Sequence, residues 1–166
     1  MFQCAKSVSE VLKSQLQHSS ELNSDSILQL DTNIAEIHHN FNCIGCETNQ
    51  AQYALHHGKI FNQMMVELSG DELQGSDKRL FISWNALGNG YMMNKMWTEG
   101  ENCFNKSIVS AERLKTFKPT DVSFPYVNLG LAYWFTGRHE EAIITLTQGL
   151  RDREAEYGVD DHVSFM

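Results

Sequence analysis

Trp84-Asn85-Ala86-Leu87-Gly88-Asn89-Gly90-Tyr91, followed by Gly100 and Phe104, recurs as Tyr126-Val127-Asn128-Leu129-Gly130-Leu131-Ala132-Tyr133, followed by Ala142 and Leu146. The spacing inside the two copies is identical, and they lie 42 residues apart. Positions 84, 87, 88 and 91 return to one stripe of a helix, as do 126, 129, 130 and 133. A second helix follows each, opening at Trp97 and at His139. Gly100 and Ala142 are small enough to let two helices cross closely, while Phe104 and Leu146 fill the wider space one turn on. The repeated unit is therefore a helix pair, and such pairs bury their faces on one another in a stack.

Turn chemistry agrees with this reading. Gly137 follows a helix ending near Phe135, the usual place for a left-handed C-terminal cap. Asn94 is expected to do the same in the earlier copy, since Asn tolerates that conformation next best. Thr120-Asp121 is expected to cap the last pair, with Pro119 stopping the helix before it. Trp84 is expected to be buried. A third, altered copy lies upstream, where Asn40-Phe41-Asn42-Cys43, Asn49 and Ala54 align at a 46-residue offset. Asn42 stands there for the helix glycine, Gly45 for the tyrosine and Gly58 for the bulky residue. Helices are expected over 32–47, 51–67, 78–93, 97–116, 122–135 and 139–157. A further amphipathic helix is expected over 2–17, then a polar linker over 18–30. The acidic, glycine-bearing loop Ser69–Asp77 reads as a joint between repeats.

On these residues the chain resembles tetratricopeptide-repeat proteins, in particular the 42-residue, kinesin-light-chain-like kind. The tail Leu150-Arg-Asp-Arg153-Glu154-Ala-Glu-Tyr157-Gly158-Val-Asp-Asp161-His162 is similar to the long second helix and Gly-x-Asp-His linker of that group. The wording around Asn40, Cys43 and Glu47-Thr48-Asn49 resembles stand-alone repeat proteins of filamentous fungi. The resemblance spans residues 31–162 and implies an all-α, right-handed solenoid. It implies one domain over 1–166: an N-terminal helix and linker to residue 30, then repeats over 31–76, 77–119 and 120–166. It also implies a non-catalytic scaffold that binds a peptide or partner helix of another protein in a concave groove lined by the first helices. The groove stripe comprises Phe124, Val127, Leu131, Trp134 and Phe135 in the last copy, and Ile82, Asn85, Asn89, Met92 and Met93 in the middle one. The resemblance assigns Asn40 and Asn128 to ligand backbone. Asn offers both a donor and an acceptor, and Met gives adaptable apolar contact. The last first-helix is apolar on two sides, so it can equally pack on a following repeat or on a second copy of the chain. The Lys/Arg pairs that clamp a ligand carboxylate in chaperone-binding relatives are missing from the matching places.

Composition narrows the field. The 166 residues carry 13 basic and 21 acidic side chains, a net charge of −8. An acidic chain gains nothing from neutralising phosphates, so nucleic acid is not an expected partner. No stretch has the apolar length of a signal peptide or membrane span. Four Cys and seven Met in such a chain point to reduced thiols and a cytoplasmic, or else nuclear, setting. The chain opens without a full first repeat and stops where another would begin, as a fragment of a longer array does. Uncapped ends of that kind expose apolar surface and invite self-association.

Other chemistries fit less well. His38-His39, Cys43-x-x-Cys46 and His56-His57 form a zinc-like ligand set. Both cysteines fall mid-helix, however, and no second pair exists, so no metal is assigned. Gly70-x4-Gly75-Ser-Asp-Lys78 lacks the lysine directly after the glycine and a preceding strand, so it is no phosphate loop. No catalytic grouping shares a face, and no cofactor is expected. The rival readings are a sensor or autoinhibitory arm of a signalling NTPase, and a small metal-binding module.

Overall fold

The computed structural model describes residues 24–69, 78–114 and 116–158, together with Val11. These residues form six α-helices and no strand: α1 (Ser24–Glu47), α2 (Ala51–Ser69), α3 (Lys78–Met93), α4 (Trp97–Glu112), α5 (Ser123–Phe135) and α6 (His139–Tyr157). A 3-10 turn, Pro119–Val122, leads into α5. Each helix packs on the next. The first helix of each pair also touches the first helix of the following pair, α1 on α3 and α3 on α5. The chain is thus an all-α solenoid, with α1, α3 and α5 forming one continuous wall.

The repeat register is written most plainly in the turns. Each pair closes with one residue in the left-handed region: Asn49 (φ 55°), Lys95 (φ 59°) and Gly137 (φ 81°). In all three the next N–H reaches back five residues, from Gln50 to Gly45, Met96 to Tyr91 and Arg138 to Tyr133, at 2.8–3.0 Å. This is the Schellman closure, which satisfies carbonyls at a helix end. Lys95, not Asn94, therefore takes the left-handed position. Asn94 acts instead through its side chain, donating to the Gly90 and Ala51 carbonyls at 2.7 Å each and so tying α3 to α2.

Inside the pairs, glycine on one helix seats bulk on the other. A Cβ on Gly88 would fall 2.4 Å from the Phe104 ring, and one on Gly130 would fall 2.6 Å from Leu146. The first pair reverses the arrangement. Its bulk, Asn42, sits on the first helix, and a Cβ on Gly58 would lie 2.9 Å from the Asn42 amide nitrogen. That amide donates to the carbonyls of Ala54 (2.8 Å) and Ala86 (3.1 Å), joining three helices. The upstream copy is thus a size-exchanged version of the later two. Gly100 and Ala142 are both buried at their crossings.

Four further sequence expectations change. Residues 24–30 are helical rather than linker, because Ile27, Leu30, Ile34, Ile37 and Phe41 continue one apolar stripe back to Ser24. Helix α4 ends at Glu112, four residues early, where buried Leu114 turns into the core. The Thr120-Asp121 cap serves the 3-10 turn, with the Asp121 carboxylate accepting the Lys118 N–H at 2.9 Å. Trp84 is half-buried, its ring covered by the Lys106 ammonium 4.4 Å from the centroid. The helix expected over 2–17, the loop 70–77 and the tail after Gly158 lie outside the described residues.

Candidate partner-binding surface

The wall of first helices carries the groove residues at fixed heights. Asn85 on α3 and Asn128 on α5 face each other, and the Asn128 amide donates to the Asn85 carbonyl oxygen at 3.0 Å. Both are half-buried. After this bond Asn85 keeps its NH2 donors and Asn128 keeps its carbonyl oxygen, a donor beside an acceptor. Asn89, one turn along α3, is half-buried, and Asn40 on α1 is exposed. Met92 and Ile82 pack their inner sides on the core between the second and third pairs. Met93 is half-buried.

The apolar half of the surface lies on α5. Phe124, Leu131, Trp134 and Phe135 are 49%, 40%, 51% and 58% exposed, which is unusual for four large apolar residues on one helix. Val127 leans on its own partner helix beside Gly149. Phe124 has the Arg153 guanidinium 5.0 Å from its ring. Trp134 lies against His139, ring centroids 4.5 Å apart. Phe135 turns away from this group and stacks on Trp97, 4.8 Å apart and nearly parallel. The structure therefore brings Asn85 and Asn128 together, sets Asn89 and Met92 further along α3, and places Phe135 at the turn edge.

The histidine and cysteine cluster divides in two. His38 and His57 are buried and share one hydrogen bond, Nδ1 to Nδ1 at 2.8 Å, with the Phe41 and Tyr53 rings packed around His57. One ring must donate and the other accept, so a single proton lies between them. His39 Nε2 sits 3.6 Å from Cys43 Sγ, and its ring stacks on Phe61. Burial lowers the His39 pKa, against an opposing pull from Glu36. Burial likewise pushes the thiols of Cys46 and Cys103 up to about 11, far from a reactive thiolate. Among the described residues no three or more His, Cys, Asp or Glu side chains are placed to hold a metal ion. The His38–His57 pair was not foreseen, because 19 residues of separation carry no periodic signal.

A second inter-pair tie lies at the turn edge. The Arg138 guanidinium meets both oxygens of Glu101 at 2.9 and 3.0 Å, also binds Glu141, and lies 4.0 Å over the Tyr133 ring.

Stacked helix pairs, three matching Schellman turns and a wall of first helices define a helical-repeat fold of the α-solenoid class. Among solved structures, the chain is similar to BtubC (BKLC) from P. vanneervenii, a kinesin-light-chain-like protein. The TM-score is 0.63, with 16% identity over 95% of this chain and 75% of that one. At that identity the likeness is one of fold. No protein-family profile matches the chain. No curated protein sequence matches it. No helix among the described residues is long and apolar enough to cross a membrane.

Proposed function

We propose that this chain is a non-catalytic scaffold that holds a segment of another protein, a peptide or a helix, along the wall of α1, α3 and α5. The observation that carries this reading is the Asn85–Asn128 bridge. It joins two successive first helices and leaves a donor and an acceptor at the surface, the pair a peptide backbone needs whatever its side chains. Asn89 and Asn40 extend the polar line on α3 and α1. Met92, Val127, Leu131 and Trp134 offer the apolar floor, with Trp134 as anchor.

A peptide library displayed on phage and selected against the chain tests this. Selected peptides should lose about tenfold in affinity, about 1.4 kcal/mol, to an Asn85→Ala, Asn128→Ala variant of unchanged helicity. Selected peptides that bind this variant as tightly as the parent chain would count against the wall as the site.

A further inference from the structure

The first helix pair is joined across its crossing by two imidazoles. His38 of α1 and His57 of α2 are buried, and their Nδ1 atoms meet at 2.8 Å. Phe41 stands edge-on to His38, and the Phe41 and Tyr53 rings pack on His57 at centroid distances of 4.7 and 4.4 Å. Counting protons shows what such a contact tolerates. At neutral pH one Nδ1 donates its hydrogen and the other accepts, so the two rings carry two N–H groups in all. A third proton enters at the donor ring's Nε2 and leaves the bond intact, now charge-assisted. A fourth has to land on the accepting Nδ1. It sets two N–H groups head to head at 2.8 Å and puts positive charge on two touching, buried rings. The contact cannot hold that proton, whatever the Nε2 atoms bond. The closed pair therefore binds one proton fewer than two solvated imidazoles do.

We propose that His38 and His57 form a proton-sensitive clasp, whose double protonation opens α1 from α2 while the later helix pairs stay closed. Among the described residues, the titratable and charged groups nearby are Asp31, Glu36 and His39 on α1, Tyr53, His56 and Lys59 on α2, and Lys78, Arg79 and Tyr91 on α3, which packs on both. Arg79 holds Glu36 at 3.6 Å, the Lys59 ammonium lies 5.6 Å over the Tyr91 ring, and Lys78 turns to Asp121 at 3.1 Å. His39 turns to Cys43 and Phe61. Asp31 lies two turns before His38, about 10 Å along the axis. His56 stands beside His57, ring centroids 5.0 Å apart, so a proton on it adds a further positive ring and works in the same direction. Helix α1 is the member that moves, because α2 is also packed along α3, which α1 touches far less. Opening uncovers Phe61 and Met65, now buried beside Ala35 of α1. It also withdraws Asn40 from the wall, the one consequence that rests on the peptide-holding role.

The tests need no partner, so they stand or fall apart from that role. Amide hydrogen exchange of the full chain, corrected for intrinsic rates, reads the opening of each helix. A solvated imidazole protonates near pH 6.5, so below that value each pH unit should raise the open fraction of α1 about tenfold. Protection of α5 and α6 should fall much less. His57→Asn keeps an amide at the height of Nδ1 and removes the titrating ring. It should take about tenfold per pH unit out of the α1 decline and leave the part due to His39. Proton–nitrogen correlation spectra of the wild-type rings give a second reading without any variant. At about pH 7.5 one ring should be the Nδ1–H tautomer and the other the Nε2–H tautomer. Two Nε2–H rings overturn the bond on which the clasp depends. An α1 protection that falls with acid no faster than that of α6, or equally in wild type and His57→Asn, overturns the clasp itself.

Discussion

Gly88→Ala is a one-carbon change whose sign can be worked out beforehand. In a helix interior alanine is favoured over glycine by about 1 kcal/mol. Here the added Cβ would fall 2.4, 2.7 and 2.9 Å from three carbons of the Phe104 ring. The ring cannot retreat, because Phe104 is fully buried in the core cluster it shares with Ile108, Ala111 and Leu129. Overpacking a tight core costs about 1–3 kcal/mol, and a clash this deep belongs at the upper end. The net expectation is a loss of about 1–2 kcal/mol. Phe104→Ala alone should cost about 3–5 kcal/mol. In that background the obstacle is gone, so adding Gly88→Ala should stabilise the protein by about 1 kcal/mol. The coupling between the two sites is then about 2–3 kcal/mol. Urea denaturation followed by circular dichroism on the four proteins of the cycle measures it. A stabilising Gly88→Ala in the wild-type background, or the same sign in both backgrounds, would refute glycine-on-ring packing.

Two further expectations follow from backbone and charge. Gly137→Ala puts a Cβ at φ 81° and should cost about 1 kcal/mol, whereas Lys95→Gly at φ 59° should be neutral or gain a few tenths; thermal melts distinguish these from the equal losses that a generic glycine effect would give. The lowered His39 pKa means the unfolded chain takes up a proton at this site, near pH 6.5, before the folded one does. Stability from this group is complete above about pH 6.5 and is lost as pH falls through that value toward the folded pKa. His39→Gln should therefore flatten part of the decline between pH 7 and 5 in urea titrations, and an unchanged slope would show that His39 takes up its proton equally in the folded and unfolded chains.

What could be seen in the one-dimensional chain was whatever repeats locally. The Leu-Gly-x-x-Tyr spacing, the apolar stripes and Gly137 act within a few turns of their own helix, so they announced helices, pairs and a stack. The same local signal made Asn94 look like the left-handed residue, when its neighbour Lys95 takes that place and Asn94 bonds across to α2. It also hid the start of α1, whose stripe of Ile27, Leu30 and Ile34 runs through a polar-looking stretch. Only the folded stack decided what depends on two distant helices meeting. The alignment already set Asn42 and Gly58 in the places of Gly88 and Phe104, but only the stack showed that the volume is exchanged across one crossing. The Asn85–Asn128 bridge, the buried His38–His57 bond and the turning of Phe135 onto Trp97 are outcomes of the same kind. Each joins residues whose separation in sequence has no period, so their chemistry appears only when close packing forces them together.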